Sequence, residues 1–116
     1  MNDEEYKKVT KQNNILDFIT LTITLEELIK KEKFEIAESI KQILTNNKIE
    51  KPEHHNFPDD KLTNYYRIDL FSDTIEEITD LFYELEVYFV GENGESTPIA
   101  LHYASLADQW VNVNSG

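Results

Sequence analysis

The sequence predicts a mainly α-helical fold: a single small domain, residues 1–116, of four or five helices. One short strand or a β-hairpin, giving an α+β fold, is the alternative. Apolar residues recur at spacings of three and four over long stretches, as they do on one face of a helix. The length suits one domain, and 40% apolar residues are enough for a core. With only three Gly and three Pro, linker-like composition is absent.

Residues 1–47 are expected to form the N-terminal helices. A first apolar stripe at helical spacing is made by Tyr6, Val9, Leu16, Ile19 and Ile23, with Asn13 as a break. Residues 19–25 also alternate between Ile or Leu and Thr, as in a strand, so helix and strand both stay open there, with helix favoured. Thr24 and Glu27 have the spacing of a capping box, which predicts a helix start at Thr24.

A clear amphipathic helix follows, with its apolar stripe at Phe34, Ala37, Ile40 and Leu44. Residues 24–46 therefore form either one bent helix or two helices packed as a hairpin. The run from Leu28 to Lys41 resembles the UVR-type helical hairpin, a protein-docking element of excision-repair subunits and some kinase activators. That family's second Ala is Glu38 here, and its Arg-Asp pair is Lys41-Gln42. We interpret the similarity as shared hairpin chemistry and not as membership.

Residues 48–72 form a connector, because two prolines and the polar run at 53–56 interrupt any helix. Tyr65 to Phe71 is expected to be a short strand or a packed extended segment. The adjacent His54 and His55 do not have the spacing of a metal site, since neighbouring side chains diverge in both helices and strands. No metal site and no cofactor are predicted.

Residues 73–116 form the acidic C-terminal helical half. Ile75, Ile78, Phe82, Leu85 and Phe89 predict a helix over 73–90, capped by Ser72 or Asp73. Thr97-Pro98 predicts the start of a last helix, with Tyr103, Ala107 and Trp110 on its inner face and His102 as a partly buried core residue. A β-hairpin over 87–103, turning at Asn93-Gly94, is the alternative.

The charge of the chain is unevenly distributed. The net charge is −12, and residues 52–116 alone hold thirteen acids against Lys61 and Arg67. On the predicted helix 73–90, carboxylates lie away from the apolar stripe; we call Asp73, Glu76, Glu77, Asp80 and Glu84 the acidic face. Such a surface repels nucleic-acid phosphates and complements a basic protein.

Tyr83 and Tyr88 fall off the apolar stripe, either at the edge of the core or in an interface. The candidate partner-binding residues are Asp73, Glu76, Glu77, Asp80, Tyr83, Glu84, Glu86, Tyr88, Glu92 and Glu95.

The function expected from these patterns is non-enzymatic: an inhibitor or immunity-type protein that neutralises a basic partner, such as a nuclease toxin. A helical adaptor that docks through residues 25–44 is the alternative, and a small enzyme or metal protein comes third. No catalytic residue is predicted. The absence of cysteine excludes disulfides and thiolate chemistry, and with the acidic N-terminus it favours a cytoplasmic protein. No apolar run is long enough to cross a membrane.

Overall fold

A computed structural model describes residues 2–51, 61–91, 94–95 and 97–115. This part of the chain is mostly helical, with five α-helices and a short two-stranded antiparallel sheet, so the predicted fold class is confirmed. The elements are α1 (Asp3–Thr10), β1 (Ile15–Asp17), α2 (Phe18–Lys30), α3 (Phe34–Asn46), β2 (Tyr65–Arg67), α4 (Ser72–Tyr88) and α5 (Pro98–Ser115), with a 3-10 turn at Lys61–Thr63. They form two compact units, one ending at Asp69 and one running from Leu70 to Ser115.

The first unit begins with two helices separated by a strand. α1 is capped by Asn2, whose Oδ1 accepts a hydrogen bond of 2.8 Å from the Glu5 amide. The chain then turns into β1 rather than continuing as the helix that the stripe from Tyr6 to Ile23 suggested. A new helix starts here because Asp17 is an N-cap residue. Its Oδ1 accepts a hydrogen bond from the Thr20 amide at 3.1 Å, and α2 begins at Phe18.

The sheet pairs β1 with β2 in antiparallel register, with Leu16 opposite Tyr66. Lys48 bridges to Tyr66, and the Ile49 amide donates to the Tyr65 carbonyl oxygen at 2.8 Å. The strand predicted within Tyr65 to Phe71 is therefore confirmed for Tyr65–Arg67.

Residues 19–25 are helical, so the strand alternative is wrong there. The capping box at Thr24 is also wrong, because Thr24 lies in the middle of α2 and its hydroxyl donates to the Thr20 carbonyl oxygen at 2.7 Å. This bond satisfies a buried hydroxyl within the helix. Leu21 and Leu28, both fully buried, fix the face of α2 that meets the core.

α2 and α3 are two helices packed as a hairpin, which was one of the two predicted arrangements. α2 ends in a Schellman motif: the Lys33 amide donates to the Leu28 carbonyl oxygen at 2.9 Å, and the Glu32 amide to that of Ile29 at 3.0 Å. Glu32 has a φ of 59°, the left-handed conformation that glycine usually supplies at this position.

In the second unit α4 packs against α5. Their buried side chains include the predicted Ile75, Ile78, Phe82, Leu85, Ala107 and Trp110. Tyr103 stacks on Phe82 at a centroid distance of 6.1 Å and on Phe89 at 5.6 Å. Val87 and Tyr88 lie in α4, and residues 99–103 lie in α5. The β-hairpin alternative over 87–103 is therefore wrong.

The caps of these two helices differ from each other. Thr97 caps α5 as predicted, accepting at Oγ1 from the Ala100 amide at 3.1 Å. The expected cap of α4 at Ser72 or Asp73 is wrong: Phe71 is the N-cap residue, in extended backbone, and no side chain bonds the free amides. His102 is exposed rather than partly buried.

Candidate functional site

The acidic face of α4 is exposed along its whole length. All five members, Asp73, Glu76, Glu77, Asp80 and Glu84, are exposed in the structure. The helix presents them on one side because Ile75, Ile78, Phe82 and Leu85, at spacings of three and four, turn the opposite side toward the buried interior. The structure thus brings these five predicted site residues onto one surface.

The acidic face carries a local energetic cost. Asp73 and Glu77, Glu76 and Asp80, and Asp80 and Glu84 are like-charge pairs four residues apart. Each such pair destabilises a helix by about 0.2–0.5 kcal/mol. Asp73, in the first turn, is favoured by the helix dipole, whereas Asp80 and Glu84 lie beyond its reach. Packing of the buried side chains of α4 therefore has to offset the repulsion among its carboxylates for the helix to form.

At the C-terminal end of α4 the exposed surface changes from acidic to apolar. Tyr83 is 41% exposed, Val87 73% and Tyr88 79%. Tyr83 and Val87 are four residues apart, which places them on the same side of the helix. The ring of Tyr88 meets that of Phe89 edge to face, with centroids 5.0 Å apart. Both predicted tyrosines therefore lie on the surface of the helix that bears the acidic face.

Two of the remaining predicted site residues, Glu86 and Glu95, lie apart from the acidic face. Glu86 is half-buried, because it falls between Phe82 and Phe89 on the inner side of α4. Glu95 is exposed in the loop after α4, where its carbonyl oxygen accepts from the Gly91 amide at 2.8 Å. Glu92 lies outside the described residues.

Sequence reasoning missed the exposed aliphatic residues of this unit. Val87 and Val90 are exposed near the end of α4, and Ile99, in the first turn of α5, is also exposed. A signal for Val87 exists in the sequence. In the stripe that runs through Phe82, Leu85 and Phe89, position 87 points away from the core at 100° per residue. Ile99 has no comparable signal.

In the described part of the chain, no group of three or more His, Asp or Glu side chains is arranged to hold a metal ion. Among the same residues, no helix has the length and hydropathy needed to cross a bilayer. The candidate site is therefore the exposed side of α4, where a row of carboxylates is followed by exposed Tyr and Val side chains.

Comparison with protein-family models, with curated proteins and with solved structures gives no match to this chain. The run from Leu28 to Lys41 accordingly resembles the UVR-type motif only as a helical hairpin. The features that bear on function are the exposed surface of α4 and the charge of the chain.

Proposed function

We propose that this protein is a non-enzymatic binding domain, an inhibitor or immunity-type protein that neutralises a basic partner protein in the cytoplasm. The observation that supports this proposal is the exposure of all five carboxylates of the acidic face on one side of α4. No Lys or Arg occurs from Ile68 to Gly116, so the second unit contains no Lys or Arg side chain that could pair with these carboxylates.

The dimensions of the acidic face suit a groove on another protein. From Asp73 to Glu84 the helix rises about 16 Å, at 1.5 Å per residue. Five carboxylates along that length can each meet a Lys or Arg side chain in a cationic cleft. The cleft in which a nuclease binds the phosphate backbone of its substrate is an example. Occupation of that cleft by α4 would block the natural ligand.

The charge of the chain also affects the rate of association. The net charge of −12, nearly all of which lies in residues 52–116, attracts a basic protein before contact. Steered association of this kind is fast and falls steeply as ionic strength rises. Binding of the partner would also offset the repulsion among the carboxylates of α4, a helix that contains no Lys or Arg.

The test compares two triple variants of equal charge. Glu77→Lys, Asp80→Lys and Glu84→Lys reverse the acidic face, and Glu26→Lys, Glu35→Lys and Glu38→Lys reverse exposed acids of α2 and α3. Each purified protein is immobilised and used to capture partners from the native cell at low and high salt, with circular dichroism as the check on folding. We expect capture of a basic protein to be lost in the first variant only. Undiminished capture by the first variant would reject the proposal.

The α2–α3 hairpin favours a second candidate, an adaptor that docks through residues 25–44. Two bulky side chains beside its turn are exposed: Ile29 at 43% and Phe34 at 60%. If the hairpin is the docking element, Phe34→Ser abolishes capture and reversal of the acidic face does not. The two triple variants and Phe34→Ser together distinguish the two candidates.

A further inference from the structure

We infer that the basic partner presents to α4 an amphipathic helix whose basic and apolar side chains are segregated along its length. Its Lys and Arg side chains lie against the acidic face, and its apolar side chains lie against Tyr83, Val87, Tyr88 and Val90, which we call the apolar end. This inference rests on the proposed function and specifies the partner element that the same surface takes.

The first step is the concentration of exposed apolar side chains. Single exposed apolar residues are normal on a protein surface. On α4, however, Tyr83, Val87 and Tyr88 lie within two turns of each other, and Val90 lies two residues beyond the end of the helix. The exposed carboxylates of this helix all precede Leu85. The exposed side of α4 therefore changes from mainly acidic to mainly apolar towards the C-terminal end of the helix.

The second step is geometric. A helix that packs on another helix uses side chains three and four residues apart, which line one side of the rod. The exposed side of α4 offers such a line: Glu76, Asp80, Tyr83 and Val87 are spaced by four, three and four residues. A partner helix laid along this line meets the carboxylates of Glu76 and Asp80 over about one turn and the side chains of Tyr83 and Val87 over the next turn.

The third step identifies the occupant by charge. Asp80 lies within one turn of Tyr83, and Glu84 lies within one turn of Val87 and Tyr88, so anything that covers the apolar end also meets carboxylates. A second copy of this chain, with a net charge of −12, would bring like charges together, and anionic lipid headgroups would do the same. A cationic helix alone satisfies both parts of the surface.

The experiment uses the full chain and synthetic helical peptides of equal length. One pair carries Lys in one half and Leu or Phe in the other, in both sequence directions. A third peptide has the same composition, but its Lys and apolar residues are interspersed. In a fourth, called the Lys-only peptide, Ala replaces every apolar residue. Affinities are measured by isothermal titration calorimetry at low salt. We expect one segregated peptide to bind at least tenfold more tightly than the interspersed and Lys-only peptides.

Two sets of variants locate the contact. Val87→Ser with Tyr88→Ser is expected to remove the tenfold preference and leave the affinity of the Lys-only peptide unchanged. Phe71→Ser, a matched change at the opposite end of α4, removes a ring that is 86% exposed and is expected to leave the preference intact. Loss of the preference in Phe71→Ser instead would overturn the inference.

The remaining outcomes separate this inference from the proposed function. If every Lys-containing peptide binds equally and reversal of the acidic face abolishes binding, segregated docking is wrong and binding of a basic partner stands. If no Lys-containing peptide binds at low salt, both are wrong. A dimer in sedimentation velocity that Val87→Ser with Tyr88→Ser dissociates would identify a second copy as the occupant and overturn the inference.

Discussion

The Thr97 hydroxyl donates a hydrogen bond of 2.6 Å to the carbonyl oxygen of Phe89, joining the start of α5 to the end of α4. Nine residues of the chain separate the two helices, and this bond closes that connection. The same oxygen accepts from the Ala100 amide, so one side chain satisfies an orphan group of each helix.

Removal of the Thr97 hydroxyl is expected to destabilise the protein. Thr97→Ala deletes both the N-cap of α5 and the bond to Phe89, and we expect the free energy of unfolding to fall by about 1–2 kcal/mol. Thr97→Ser keeps the oxygen and is the matched control, with a loss below about 0.5 kcal/mol. Urea denaturation of the three proteins gives the comparison, and equal loss in both variants would show that the methyl group matters rather than the hydroxyl.

Replacement of Asp80 by Lys is expected to raise stability while it weakens partner binding. In the parent protein Asp80 repels both Glu76 and Glu84, and Lys at this position attracts both. We expect the free energy of unfolding to rise by about 0.5–1 kcal/mol at low salt, with most of the gain lost in 1 M salt. Asp108→Lys, an equal change of charge on the exposed side of α5, is the control. No gain at low salt would mean that the acidic face carries no cost.

The left-handed residue at the end of α2 offers a stabilising change. Glu32 has a φ of 59°, a conformation that costs a residue with a Cβ about 1 kcal/mol or more relative to glycine. Glu32→Gly and Glu32→Ala remove the same charge, but only Gly relieves the strain. After allowance for the greater freedom of glycine in the unfolded chain, we expect Glu32→Gly to exceed Glu32→Ala by about 0.5–1 kcal/mol in free energy of unfolding. Thermal denaturation in the same buffer measures the difference, and a more stable Ala variant would contradict it.

The first unit contains a pH-sensitive tyrosine. Burial, and secondarily the charge of Tyr65, raises the pKa of Tyr6 above its usual value of about 10. The unfolded chain therefore releases this proton at a lower pH than the folded protein does. The contribution of Tyr6 is fully present below about pH 10 and is lost as pH rises through the folded pKa. In Tyr6→Phe we expect the free energy of unfolding to fall less steeply above pH 10, as measured by urea denaturation at several pH values; an equal slope would reject this assignment.

The predicted parts of the fold are those with local, periodic causes. The stripe of Ile75, Ile78, Phe82 and Leu85 predicted α4, and Thr97-Pro98 predicted the start of α5, because both signals lie within one element. β1 was not predicted, because Ile15 to Asp17 pairs with residues about fifty positions later and three residues carry no period of their own. Residues 19–25 were ambiguous because their threonines fit a strand in local propensity, and the buried Leu21 and Leu28 decide the matter in the folded chain.

The candidate site follows the same rule. The acidic face was predictable because the period of the buried stripe fixes its opposite side. Glu86 was included on charge alone, although the same period places it on the inner side of α4, where it is half-buried. The apolar end was anticipated through Tyr83 and Tyr88 and missed at Val87, since valine in a helix is ordinarily taken as core.

Trp110 is the one tryptophan of the chain, and it is completely buried in α5. Its fluorescence spectrum therefore reports on the unit from Leu70 to Ser115, in which it is buried, whereas far-ultraviolet circular dichroism sums the helices of both units. A red shift of the emission that coincides with the loss of circular dichroism would mark one cooperative transition; a separation of the two curves would mark two. The same indole gives a built-in optical signal for the helix pair that carries the binding surface.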